Sequence, residues 1–173
     1  MAKVEMNKDM KLSEHLASPS EAALSHLSEL NGLRLSPHFS LGELTKTNYV
    51  TKDGNFPSRV AIENLTNLCE NWLEALRQAQ GPLIINSGYR SPEVNKLAGG
   101  APTSNHLTGC AVDIHVSGFE QAIRYASILL DISEATQRDY DELFIEKNKT
   151  GSHWIHFAVK PKDNRRKSGF IKV

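Results

Sequence analysis

The sequence predicts an α+β fold, a single domain in which a small antiparallel sheet is flanked by helices. Its 173 residues suffice for one hydrophobic core but not for two full domains. Short apolar stretches, some of them alternating with polar residues, predict strands, and longer stretches with apolar residues at helical spacing predict helices. The 39% of hydrophobic and 23% of charged residues are typical of a globular protein rather than a disordered one.

The first element is a short helix in an N-terminal extension that covers residues 1–35. In "SPSEAALSHLSELNG", Ser18 is the predicted N-cap, Pro19 opens the first turn and Glu21 completes a capping box. Gly32 is a typical helix end. The stretch before this helix has no apolar core of a signal peptide, so we expect a chain synthesised in the cytoplasm.

The strongest predicted helix covers residues 58–80, where Leu65, Leu68, Trp72 and Leu76 recur on one face. A second helix is predicted over 119–133. Strands are expected over 83–86, 110–116, 141–147 and 153–160. The residues after 160 form a basic tail, 161–173, which we expect to be a solvated terminus.

Charge and cysteine usage exclude several classes of protein. Lys and Arg together number 20, as do Asp and Glu, so the net charge favours neither a nucleic acid partner nor a membrane surface. No stretch is apolar enough for membrane insertion. Cys69 and Cys110 stand far apart without a paired-cysteine motif, so we expect two small buried residues rather than a disulfide framework.

Two stretches, "TSNHLTGCAVDIHV" and "GSHWIHFAV", collect residues that bind metals. Side chains alternate along a strand, so Asp113 and His115 share one face, and His156 converges on Asp113 if both strands lie in one sheet. His106 lies in the turn before its strand and can fold over the same place. Zinc sites use such ligands. A lone histidine is more often a surface or core residue, so spacing alone leaves open a metal-free structural protein.

The wider pattern resembles a known family. "SNHLTGCAVD" fits Ser-x-His-x-x-Gly-x-Ala-x-Asp, preceded by "SGYRSPEVN" and followed by "DELFIEK" and "HWIHFAV". Together these motifs resemble the zinc D-alanyl-D-alanine carboxypeptidase family, and the lead-in "SPHFSLGELTKT" resembles its phage-type branch of endolysins. The resemblance covers residues 36–160, and it implies a zinc peptidase domain with a hedgehog/D-Ala-D-Ala-peptidase-like fold.

The resemblance also implies roles for individual residues. One zinc ion would be bound by His106, Asp113 and His156. Arg90 falls at the family arginine that polarises the scissile carbonyl or holds the substrate, as a planar guanidinium suits. Ser104 precedes the first ligand, where its hydroxyl can reach the ligands or the substrate. Tyr89 either lines the pocket or packs in the core.

The general base is ambiguous in this sequence. Many family members carry Glu or Asp three residues before the last histidine ligand, and here that position is His153. Strand alternation sends residues three apart to opposite faces, so His153 reaches the metal only if the chain bends at 151–152. Glu146, on the preceding strand, is the rival. The sequence favours His153 by a small margin, and for His115 it favours a position behind the ligands or at the surface over a role as a ligand.

The function implied is hydrolysis of peptidoglycan stem peptides through a zinc-activated water, by a D-Ala-D-Ala carboxypeptidase or an L-Ala-D-Glu endopeptidase. We expect the protein to act on the cell wall after release or delivery. The alternative is a catalytically inactive zinc-containing module of the same fold that binds cell-wall peptide or a protein partner. The missing carboxylate before "HWIH" keeps that alternative open.

Overall fold

The computed structural model describes residues 31–173, so the predicted helix at 18–32 lies outside the described residues apart from its last two positions. A single sheet contains β1 (Ile85–Ser87), β2 (Ala111–His115), β3 (Glu142–Lys147), β4 (His153–Ala158) and β5 (Lys167–Lys172). The strand order is β1-β2-β4-β3-β5. All neighbouring pairs are antiparallel except β3 and β5, which run parallel.

The helices lie before and between the strands. They are α1 (Leu41–Thr45), α2 (Arg59–Leu68), α3 (Glu74–Gln80), α4 (Pro92–Leu97) and α5 (Phe119–Thr136). A π-helical turn, Cys69–Leu73, joins α2 to α3, and a 3₁₀ turn, Asn105–Thr108, precedes β2. Serine hydroxyls cap α1, α2 and α4 by accepting hydrogen bonds from backbone amides. No helix within residues 31–173 has the length and apolarity needed to cross a bilayer.

One face of the sheet is covered by helices and contains the core. Ile114, Ile155 and Phe157 point to this face and are fully buried. The Trp72 ring lies 5.0 Å from the Phe157 ring, so the helix pair α2–α3 packs directly on β4. The predicted apolar stripe of this helix is buried along its whole length. The predicted α+β class with flanking helices is therefore confirmed.

The sheet differs from the prediction at its last strand. Residues 161–173, described above as a basic tail, contain β5, which pairs in parallel with β3, so the expectation of a wholly antiparallel sheet is wrong at this edge. Every residue of β5 is exposed. A strand with neither face buried needs no alternation of apolar and polar residues, which is why the pattern did not predict it. The domain boundaries at residues 35 and 160 stay predictions.

Candidate metal centre

Three side chains meet on the sheet face opposite the helices. Asp113 on β2 stands directly across from His156 on β4, as the alternation of the two strands predicted. His106 comes from the 3₁₀ turn before β2. One ligand atom from each of these residues lies within 4.8 Å of the other two, and His106 and Asp113 are buried. The structure therefore brings together all three residues expected to bind the metal.

The 3₁₀ turn fixes the position of His106. Its cap is Ser104, whose hydroxyl accepts a hydrogen bond from the His106 backbone amide. The turn ends at Gly109, whose φ of 71° lies in the left-handed region that favours glycine. A side chain at Gly109 would also meet the Ala61 carbonyl oxygen at 2.4 Å. The turn is thus held against α2, and His106 projects toward β2.

A backbone carbonyl sets the tautomer of His106. The Nδ1–H of His106 donates to the carbonyl oxygen of Gly88 at 2.6 Å, which leaves the Nε2 lone pair facing Asp113. A Cβ at Gly88 would meet the Leu44 carbonyl oxygen at 2.2 Å, so only glycine lets the loop pass here. Asn55 fixes the same loop, since its amide donates to the Tyr89 carbonyl and its oxygen accepts from the Ser91 amide.

The donor set fits a tetrahedral metal ion. Asp113 Oδ1 lies 3.3 Å from His106 Nε2 and 3.0 Å from His156 Nδ1. Ligands at bond lengths of about 2.0–2.1 Å in a tetrahedron stand about 3.3–3.4 Å from one another. Two nitrogens and one carboxylate oxygen also leave the fourth position free, as catalytic sites require. The three residues can therefore hold such an ion with little rearrangement.

Electrostatics also suit a cation. Burial alone would raise the pKa of Asp113, but the neighbouring His106 and His156 outweigh it and hold that pKa well below its ordinary value. Burial alone would lower the pKa of His156, but hydrogen bonds to Asp113 and Glu142 outweigh it and raise that pKa to about 9. The carboxylate is thus kept ionised, and a metal ion that binds here takes the place of the proton on His156.

Two glutamates of β3 share this face, because Glu142 and Glu146 have the same strand parity as Phe144, the residue opposite His156. Glu142 accepts from His156 Nε2 at 3.4 Å, from Asn105 at 3.0 Å and from an arginine of the C-terminal segment. Glu146 forms no ion pair within residues 31–173, and burial raises its pKa. The two carboxylates therefore have different roles.

The structure does not bring His153 to the metal cluster. His153 is at the start of β4 and points to the helix face, where its ring lies 5.6 Å from the ring of Phe119. No bend at residues 151–152 reverses the alternation, so His153 and His156 lie on opposite faces of the sheet. Of the two residues that the sequence offers as general base, Glu146 is therefore the one that shares the sheet face of Asp113 and His156.

The other residues singled out in the sequence lie around the cluster. Arg90 donates from Nη2 to Asp113 Oδ2 at 2.5 Å and from Nε to Ser87 at 2.8 Å. Tyr89, Arg90 and Asp113 line a cleft of about 430 Å³, which Lys46 also lines. Arg90 therefore orients one ligand while it faces the cleft. Ser104 acts on the His106 turn, as described above.

Residues outside the cluster also have clear positions. His115 is exposed at the end of β2 and is not among the three clustered residues. Cys69 and Cys110 are buried free thiols, as expected. Sequence reasoning missed Glu142, which lies on the same strand and has the same parity as Glu146. It also missed Asn55, for which the sequence carries no local signal.

Comparisons with known proteins agree with this geometry. A family model described as Peptidase M15 matches residues 37–149 of the chain. A zinc D-Ala-D-Ala carboxypeptidase of Streptomyces albus G is 35% identical over 80 residues, which are 44% of this chain and 31% of that protein. The chain thus spans about a third of the length of the curated relative that it matches.

Proposed function

Because the chain belongs to the Peptidase M15 family, we propose that it is a zinc-dependent peptidase that hydrolyses peptide bonds in the stem peptides of peptidoglycan. The similar Streptomyces protein, a zinc D-Ala-D-Ala carboxypeptidase, supports both the metal and the substrate class. The observation that carries the proposal is the convergence of His106, Asp113 and His156 at distances that suit one tetrahedral ion.

The ion and the residues around it have separate roles in the proposed reaction. Zinc, when bound by the three residues, supplies a Lewis acid that activates water and polarises a carbonyl. Glu146 is the general base in this proposal, taking a proton from the attacking water and returning it to the leaving amine. Burial raises its pKa, which favours the first of these two transfers, since the carboxylate is then a stronger base toward the water proton.

The register leaves room for this role. Glu146 on β3 stands opposite Trp154 on β4. His156 lies two residues after Trp154 on β4, and its side chain is on the same face of the sheet as Glu146. Such diagonal neighbours are about 7–8 Å apart at their backbones, which leaves space for a water between the side chains. Glu142, on the other diagonal, is already occupied by three donors and is therefore unsuited to proton transfer.

The cleft beside Asp113 is the proposed substrate site. Its lining includes two cations, Arg90 and Lys46, and the ring of Tyr89. Stem peptides carry free carboxylates, which complement both cations. Arg90 has its Nη2 on Asp113 and lies where its remaining donors can meet a substrate oxygen. Lys46 forms no ion pair within the described residues, so it is available to a carboxylate of the substrate.

The base assignment gives the test of the mechanism. Glu146→Gln should lower kcat on a synthetic stem peptide by about 10²–10⁴-fold, because it removes the base but keeps the size of the side chain. His153→Ala is the matched control, since its ring faces the helices, and it should keep its turnover and its zinc. Full activity in Glu146→Gln together with an inactive, zinc-loaded His153→Ala would contradict the assignment.

A second candidate is a catalytically inactive module of the same fold that contains zinc and binds cell-wall peptide or a protein partner. The feature that favours it is His153, which stands where many family members carry a carboxylate. This candidate predicts that the zinc-loaded wild-type protein binds stem peptides without product, and that Glu146→Gln binds them equally well.

The finer assignment extends the same proposal. The bond cleaved is D-Ala-D-Ala in a carboxypeptidase or L-Ala-D-Glu in an endopeptidase, and the length of peptide that the cleft accepts decides between them. The lead-in "SPHFSLGELTKT" supports the phage-type branch and hence a role in lysis. In that role the protein acts on the cell wall after release or delivery from the cytoplasm.

A further inference from the structure

The C-terminal segment reaches the candidate metal centre through a single buried carboxylate. Asp141 precedes β3 and has no exposed surface. Its two oxygens accept from Arg165 Nε at 2.8 Å and Nη2 at 2.5 Å, from Lys160 Nζ at 3.0 Å and from Asn105 Nδ2 at 2.9 Å. A buried charge needs such partners, because the free energy lost by burying an unpaired charge is comparable to the free energy of unfolding of a whole domain.

Arg165 is held in place by its own backbone. Asn164 closes the preceding turn, since its side chain accepts from the Lys160 amide and donates to the Lys160 carbonyl. The Arg165 amide then donates to Asp141 at 3.2 Å. Two residues further, the Lys167 amide donates to the Asp141 carbonyl at the start of β5. The guanidinium is therefore a fixed donor rather than a mobile surface group.

The same guanidinium orients Glu142. Arg165 Nη2 donates to Glu142 Oε1 at 2.6 Å, while Glu142 Oε2 accepts from Asn105 and from His156 Nε2. The carboxylate of Glu142 is thus held by one oxygen and aims the other at His156. A histidine that donates one ring nitrogen to a carboxylate presents its other nitrogen as a more basic and better oriented ligand.

We propose that Arg165 is a positioning residue for the metal centre: it orients Glu142, which fixes the His156 ring so that Nδ1 faces Asp113. Asn105 extends this arrangement to the other histidine ligand, because it donates to both Asp141 and Glu142 and is the residue before His106. The segment after residue 160 therefore belongs to the metal centre. The inference depends on the metal site of the proposed function but not on its substrate.

Zinc affinity, measured by competition with a chromogenic chelator, tests the proposal directly. Arg165→Ala should weaken zinc binding by about 10-fold, and Glu142→Ala by about 10–100-fold, in the range found for partners of metal ligands. Arg166→Ala is the matched control, since Arg166 pairs with Asp139 and Ser133 and has no bond to Glu142. It should bind zinc like the wild type.

Two further readouts separate positioning from general stability. If Arg165 acts through Glu142, Arg165→Ala should add little to the loss of affinity in Glu142→Ala, which a double-mutant cycle measures. The visible spectrum of the cobalt-substituted protein should change in Arg165→Ala and return toward wild type in Arg165→Lys. Additive losses, or wild-type zinc affinity and cobalt spectrum in Arg165→Ala, would overturn the proposal.

Failure of this inference and failure of the proposed function give different results. Zinc affinity and cobalt spectra are read without substrate, so a protein that cleaves no stem peptide still tests Arg165. Should Arg165→Ala not fold, Glu142→Gln keeps an oxygen acceptor for His156 but lacks the charge that Arg165 binds. It should show a smaller loss of zinc affinity than Glu142→Ala, and equal losses would contradict the chain of contacts.

Discussion

Replacing Asp141 with Asn tests how strongly the buried carboxylate stabilises the fold. The substitution keeps the shape of the side chain but leaves Lys160 without its anion and Arg165 with Glu142 as its remaining anion. Breaking a buried ion pair from one side costs about 3–5 kcal/mol, and the value falls toward about 3 kcal/mol here because the side chains of both cations retain access to water. Their exposed fractions are 41% and 29%, against 0% for Asp141. In a domain of this size a loss of about 3 kcal/mol lowers Tm by about 6–12 °C.

The loss should depend on pH with a definite sign. Burial alone would raise the pKa of Asp141, but hydrogen bonds from Arg165, Lys160 and Asn105 outweigh it and hold that pKa well below its ordinary value. A lowered native pKa contributes stability above the unfolded pKa, about 3.9, and that contribution disappears as the pH falls toward the native pKa. The difference between wild type and Asp141→Asn should therefore be constant from pH 7 to 5 and shrink below about pH 4.

Urea unfolding followed by tryptophan fluorescence measures the difference, since Trp72 is buried in the core. Excess chelator in all samples removes the contribution of bound metal to stability. Asp139→Asn is the control, because the Asp139–Arg166 pair is exposed and such pairs are worth about 0–1 kcal/mol. Equal stability of Asp141→Asn and wild type at pH 7, or a difference that persists unchanged at pH 3, would refute the reasoning.

A glycine variant tests the candidate site, and a thiol reagent tests the core. Gly88→Ala should weaken zinc binding at least about 10-fold, because a Cβ there meets the Leu44 carbonyl and displaces the Gly88 carbonyl that accepts from His106. Gly118→Ala, which has open space around its Cβ, is the control. If chelator competition finds both variants equal to wild type, the role of the Gly88 carbonyl is contradicted. Cys69 and Cys110 should react with a thiol reagent only after unfolding, since both are buried and burial raises the pKa of each thiol. Mass spectrometry measures the labelling, and rapid labelling of the native protein would contradict the prediction by showing that this part of the core opens.

The cluster of His106, Asp113 and His156 could be predicted because all three lie in recognisable motifs and two of them lie on strands, where side chains alternate. Alternation predicted that Asp113 and His156 share a face if both strands lie in one sheet, and the strand register makes them direct neighbours. The same rule sets His153 apart from His156, and the small preference for His153 as the general base depended on a bend that strand β4 does not make. Parity is therefore the more reliable guide here than a position counted from the family motif.

The contacts that support the site could not be predicted because they join distant parts of the chain. Arg165 meets Asp141 across 24 residues, and Asn55 meets Tyr89 across 34. Neither has a periodic pattern or a motif. The strand β5 is likewise set by pairing with β3 rather than by its own sequence, since all its residues are exposed. Such features depend on tertiary contacts, which no local signal reports.

We propose that the three clustered residues make this protein a zinc-dependent peptidase that acts on stem peptides. Mass spectrometry of a synthetic stem peptide after incubation with the zinc-loaded protein tests it most directly, with a chelator-treated sample and His106→Ala as controls. We expect loss of a terminal D-Ala or an internal cut, in the zinc-loaded wild type alone. An intact peptide, recovered from a sample in which the protein holds one tightly bound zinc, would contradict it.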